Sequence, residues 1–250
     1  MPTIRGTNGN DSYLDGTSVD DSIYALGGDD TVDAKAGNDY VELGDGNDNG
    51  YGRSGNDYIA GGSGHDYVLG EEGSDTLLGG RGNDELNGGY EFDSSIVDKL
   101  YGEAGNDFLF AGPTNDYLNG GADQDLLNSG YGDDSLYGEG GNDRLYADFG
   151  DDYLNGGMGQ DQLYGGAGKD TFDFDSARES TTSAPDIIYD FSGSQGGDGD
   201  VIDLESLNIS SVSSLSYNNG VLAANAPGGN HFEIFLDGNP PVDLSVDVIL

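Results

Sequence analysis

Along most of the chain one apolar residue recurs every nine positions among glycine and polar neighbours. The series runs Ile23, Val32, Val41, Ile59, Val68, Leu77, Leu86, and after a longer step Leu100, Leu109, Leu118, Leu127, Leu136, Leu145, Leu154, Leu163 and Phe172. Tyr13 fits it loosely, and Gly50 is the one clear break. A lone apolar residue between polar neighbours predicts a short strand with its middle side chain inward. The Gly-rich stretch between strands predicts a sharp turn, because Gly enters positive φ without a Cβ clash. Two such units make one 18-residue coil of two strands and two turns, so the pattern predicts an all-β solenoid. Near the end the pattern changes. Alternation in HFEIFLD (231–237) and short apolar runs around Leu215 and Val221 predict antiparallel strands that cover the open end of the stack.

Two residues before each apolar position stands an aspartate. One ladder comprises Asp21, Asp30, Asp39, Asp48, Asp57, Asp66, Asp75 and Asp84, and a second comprises Asp98, Asp107, Asp116, Asp125, Asp134, Asp143, Asp152, Asp161 and Asp170. Asp11 precedes Asp21 by ten, and the step of fourteen from Asp84 to Asp98 places a looped-out insertion at Tyr90–Ser94, near 90–94. Gly usually lies two residues before the Asp, with Val19, Ile96, Thr114 and Asp123 as departures. Four turns are complete GGxGxD: 61–66, 79–84, 156–161 and 165–170.

Composition then decides what the turns bind. Asp plus Glu number 48 against 8 Lys plus Arg, for a formal charge of −40, which excludes a nucleic-acid binder and an electrostatic partner of anionic lipid. Low hydrophobicity at high charge is the usual mark of disorder, but tandem periodicity overrides it here. With no Cys there is neither a disulfide framework nor a thiolate metal site. No apolar run is long enough for a membrane-spanning helix, and MPTIRGTNGNDSYL has no basic-then-apolar leader. Stacked coils bring Asp residues 18 apart in sequence to about 4.8 Å in space, with turn carbonyls between them. Two like charges at that range repel by about 0.8 kcal/mol in water and about 3 kcal/mol at an effective dielectric of 20. A cage of two carboxylates and several carbonyls suits calcium, which takes six to eight oxygens in tolerant geometry, better than the smaller, stricter magnesium ion.

These turns closely resemble the RTX (repeats-in-toxin) nonapeptide GGxGxDxUx over roughly residues 6–174. The resemblance implies a right-handed parallel β-roll at 1–174 followed by a C-terminal cap at 175–250. It also implies calcium as cofactor, roughly 15 ions in all. The expected ligands are Asp11, Asp21, Asp30, Asp39, Asp48, Asp57, Asp66, Asp75, Asp84, Asp98, Asp107, Asp116, Asp125, Asp134, Asp143, Asp152, Asp161 and Asp170. Asp11, Asp21, Asp98, Asp116 and Asp125 lie in the least regular turns. Phe172, Phe174, Asp186, Ile188, Asp190, Phe191, Asp200, Ile202 and Asp203 are similar to the cap of serralysin proteases and mannuronan epimerases. The final Asp247, Val248, Ile249 and Leu250 resemble a type I secretion tail. An extracellular protein exported unfolded and folded by calcium outside is the expectation, with the type I machinery as partner.

No catalytic apparatus is expected. HExxH and GxSxG are absent, the histidines are only His65 and His231, and GGAGKD lacks the Ser or Thr of a phosphate loop after Lys169. The resemblance implies that a catalytic domain would precede the repeats, and with repeats starting at Gly6 none is expected. A non-catalytic structural or binding module is the first reading. A secreted effector acting on host membranes, and an R module binding acidic polysaccharide, are the alternatives. Tyr101, Tyr117, Tyr137 and Tyr153 are expected on four successive strands of one sheet, where they stack on sugars or, more simply, pack on one another.

Overall fold

The computed structural model describes residues 1–176, 178–181, 183–193, 199–209, 215–225, 231–238, 240, 242–245 and 247–250. Through the repeats strands alternate between two sheets, apart from the short Met158–Gly159, and pair in parallel with strands one coil away. Among the described residues each sheet has 13 strands. One sheet stacks Ile23, Val41, Ile59, Leu77, Leu100, Leu118, Leu136, Leu154, Phe172 and Ile202 in direct register. The other stacks Leu14, Val32, Gly50, Val68, Leu86, Leu109, Leu127, Leu145, Leu163 and Ile188. The result is a parallel β-roll of about nine coils at about 18 residues each. Partners are 23 apart instead of 18 at Leu77–Leu100 and Leu86–Leu109, so the five extra residues leave the coil between Asn87 and Asp98.

Many strands run to six residues, as in Tyr40–Asp45 and Tyr117–Ala122, rather than the three that the apolar positions suggest. The cause is a second inward position, two residues beyond the apolar one, which is buried but is usually Gly or Ala. Leu43, like Ser129 and Phe174, departs from this, and it explains how the roll tolerates Gly50. A Cβ on Gly50 would lie 3.0 Å from Leu43 Cδ1 and 3.2 Å from Ile59 Cγ2, so the large side chain of one sheet fills the hole in the other. Gly50→Val and Leu43→Gly should each destabilise by about 1–4 kcal/mol, by overpacking and by cavity formation respectively. The double variant should recover most of that loss in a thermal-melt double-mutant cycle at fixed calcium; simple additivity would refute the compensation.

The stack continues past the last nonapeptide. Asp186–Ile188 and Val201–Asp203 pair in parallel with the coils below them, and Val248 pairs with Ile202. Leu215–Asn218, Val221–Asn225 and His231–Leu236 form an antiparallel meander, and the last of these lies parallel to Asp186–Ile188. Phe174 and Phe232 close the core edge to face, with ring centroids 5.4 Å apart. The expected antiparallel cover is therefore present, joined to the roll through shared rungs.

Candidate metal centre

The turn after each strand sets the aspartate. In most turns a glycine two residues before the Asp adopts positive φ, as at Gly82 (φ 128°). Only glycine fits there, since a Cβ on Gly82 would fall 1.4 Å from the Gly64 carbonyl oxygen. The carbonyl of one turn thus points at the bare Cα of the turn stacked on it. Five residues before the Asp a second glycine does similar service: a Cβ on Gly61 would meet Asp66 Oδ2 at 2.5 Å and the Gly79 carbonyl oxygen at 2.6 Å. Carboxylate and carbonyl oxygens from neighbouring coils converge there.

All eighteen sequence-predicted aspartates lie in two columns, one along each edge of the roll. In the first, the backbone N–H of Asp21 donates to Asp39 Oδ1 at 2.6 Å, and the relation repeats through Asp57, Asp75, Asp98, Asp116, Asp134, Asp152 and Asp170. In the second, it runs from Asp11 through Asp30, Asp48, Asp66, Asp84, Asp107, Asp125 and Asp143 to Asp161. Each column gains a further member that a search at nine-residue spacing passes over. Asp186 accepts from Asp161 N–H and Asp200 from Asp170 N–H, at separations of 25 and 30.

One carboxylate oxygen of each pair is thereby satisfied. Its partner is not: sixteen of the eighteen ladder aspartates, and Asp186, bury an oxygen with no hydrogen-bond donor. Burial raises the carboxyl pKa at many of these positions despite the N–H bonds that oppose it. Asp48 and Asp57 are pushed up to about 6, Asp66 and Asp134 to about 7, Asp75, Asp107, Asp143 and Asp152 to about 8, and Asp186 to about 9. An unpaired buried carboxylate oxygen is costly, and a cation is what relieves it. Among the described residues no three Asp, Glu or His side chains converge on one point. A hard cation between coils would therefore complete its shell from carbonyls, as calcium readily does. The donor set fits calcium.

The irregular turns differ in physical detail. Asp11 and Asp21 spend Oδ2 on the N–H and hydroxyl of Thr7 and Thr17. Asp98 follows the insertion, Asp116 Oδ1 also accepts from Thr114 Oγ1 at 2.9 Å, and Asp123, two before Asp125, adopts φ 79° without being glycine. Another ladder stands beside each Asp column and has no counterpart in the sequence reading. The residue just before the Asp caps the next coil's N–H, from Asn38 to Asn56 (2.9 Å), Asn56 to Ser74 (3.0 Å) and Asn83 to Asn106 (3.0 Å), with His65 Nδ1 serving Asn83 at 2.8 Å. A run of Asn, Asp, Gln and His at that position was the available signal.

If the turns form the cage, Gly82→Ala should raise the calcium concentration for half-folding severalfold. Gly140→Ala should leave it unchanged, since a Cβ there meets nothing within 4 Å. Equal behaviour of the two in calcium titrations followed by circular dichroism would refute the turn's role.

Fold and columns together define a class: a parallel solenoid whose two edges carry columns of buried carboxylate oxygens of the kind a hard cation would satisfy. The family model of the RTX calcium-binding nonapeptide repeat matches residues 15–50, 42–77, 51–86, 95–127, 128–163 and 149–176, more than half of the chain. The chain belongs to this family and is a calcium-binding repeat protein. Among solved structures it is similar to the AlgE6R3 subunit of the mannuronan C5-epimerase from Azotobacter vinelandii, at 26% identity over 58% of this chain and 79% of that one, with a TM-score of 0.29. It is also similar to a hyperactive, Ca2+-dependent, β-helical antifreeze protein from an Antarctic bacterium, at 21% identity over 81% of this chain and 75% of that one, with a TM-score of 0.31. No curated protein matches the chain in sequence.

Proposed function

We propose that the protein is a non-catalytic structural or binding module, exported unfolded by a type I route and folded outside the cell by calcium. The observation that carries this reading is the line of buried, donorless carboxylate oxygens along both edges. The eighteen ladder aspartates, joined by Asp186, would hold the ions with the turn carbonyls of adjacent coils. Roughly 15 divalent ions would offset about 30 of the 40 excess negative charges. Calcium supplies charge neutralisation and cross-links between coils. Such binding energy becomes folding energy, because the unfolded chain has no preformed cage. The same charge suits export before folding, since a calcium-poor interior keeps the chain extended.

Absence of catalysis is supported by the spread of the histidines, His65 in a turn and His231 in the cap meander. The tyrosines favour packing over sugar stacking, because Tyr101, Tyr117, Tyr137 and Tyr153 pack against one another as tilted pairs with ring centroids 5.5, 5.2 and 5.5 Å apart. Native mass spectrometry tests the assignment: roughly 15 bound calcium ions are expected, lost in chelator. Retention of only one or two would overturn it.

A further inference from the structure

The five-residue insertion builds a site unlike the rest of the surface. It leaves the coil after Gly88 as an ordered loop rather than a loose excursion. Glu91 Oε1 accepts the Gly73 N–H at 3.0 Å, Asp93 Oδ1 accepts Ser95 N–H at 3.1 Å, and Val97 N–H reaches Ser74 Oγ at 2.9 Å. Held this way, Tyr90 and Phe92 stand 79% and 83% exposed. They wall a groove of about 220 Å³ whose other aromatic residues are Phe110 and Tyr131. Tyr131 is fixed from behind by Phe149, stacked at 4.7 Å with only 6° between the ring planes. The groove also carries the amides of Asn87 and Asn128, the second oriented by donating to Asp148 Oδ2 at 3.0 Å.

None of the twelve lining residues is charged, in a chain with 48 carboxylates. A face of exposed aromatic rings costs solubility and marks a recognition site. The chemistry of this one is selective. Aromatic faces accept the C–H side of a pyranose ring, and side-chain amides pair with its hydroxyls. Volume restricts the occupant to something about the size of one or two sugar rings. The formal charge of the chain is −40, and the roughly ten negative charges left once about 15 calcium ions are bound still repel a uronate or a second copy of the chain but are indifferent to an uncharged sugar.

We infer that the groove between the 88–97 loop and Tyr131 binds uncharged saccharides. The inference rests on the calcium-folded roll but not on the number of ions it holds. It is tested on the full chain in saturating calcium, by saturation-transfer NMR and calorimetry against maltohexaose, cellohexaose and mannohexaose, with oligoguluronate as the acidic comparison. Binding of at least one neutral hexamer is expected, with saturation strongest at ring C–H protons and oligoguluronate at least tenfold weaker. Phe92→Ala and Tyr131→Ala should each weaken it at least tenfold while circular dichroism and bound calcium stay unchanged. Four results would overturn the proposal: no binding of any neutral hexamer, binding indifferent to both substitutions, preference for oligoguluronate, or concentration-dependent dimerisation abolished by Phe92→Ala. A protein that fails to fold or to load calcium would instead refute the calcium reading.

Discussion

Chelating calcium with EGTA near neutral pH should unfold the protein: the β signal in far-ultraviolet circular dichroism is lost, limited proteolysis cuts throughout the repeats, and added calcium restores both. The argument is one of magnitudes. Eighteen Asp-to-Asp steps are stacked along the two edges. Neighbouring carboxylates repel by about 0.8 to 3 kcal/mol each, according to the local dielectric. A folded domain typically has only about 5–15 kcal/mol in hand. One large apolar residue in nine makes a thin core, and ordering each residue costs about 1 kcal/mol or more. Repulsion along two edges exceeds that margin, so the metal-free roll should not persist as charged columns. Equal compactness and protease resistance in excess EGTA at neutral pH would refute the proposal that calcium completes this fold.

Much of this architecture is legible in the residues because a solenoid writes its contacts at a fixed separation. Ile23 predicts Val41 as its neighbour and Asp39 predicts Asp57, and the register confirms both. Features that break the period are harder to read. Leu43 fills the space above Gly50 from the opposite sheet, a relation that exists only across the core. Leu26, Arg53, Glu71 and Glu103 take φ between 73° and 85° at a turn position where glycine is the easy choice. Stacked backbone hydrogen bonds hold them there, as at Glu71 N–H to the Gly88 carbonyl, 2.8 Å. Asp186 and Asp200 extend the columns, but loops of unequal length hide the spacing. The sequence resemblance marks them only as cap positions. The 90–94 insertion could be located by counting, whereas the groove it forms depends on Phe110 and Tyr131 from later coils.

Acidification in the presence of chelator should restore β structure, the reverse of what acid does to a protein held by salt bridges. Burial is the first cause of the raised pKa values, which reach about 7 at Asp66 and about 8 at Asp75, Asp107, Asp143 and Asp152. In the unfolded chain an aspartate titrates at about 3.9. Between those values the folded, metal-free form holds protons that the unfolded form has released, so stability falls as pH rises. The contribution is fully present below about pH 4 and is lost as pH climbs through about 8. Calcium reverses the preference by binding the ionised carboxylates, and it must displace protons to do so. Two measurements follow. In EGTA, ellipticity and melting temperature should rise from pH 8 toward about pH 5, staying above the pI of 4.1 where aggregation intervenes. In calcium, the concentration needed for half-folding should rise over the same descent, and calorimetry in buffers of different ionisation enthalpy should register proton release on binding. A metal-free form that gains stability on going from pH 5 to 8 would show that the columns are not the buried acids described above.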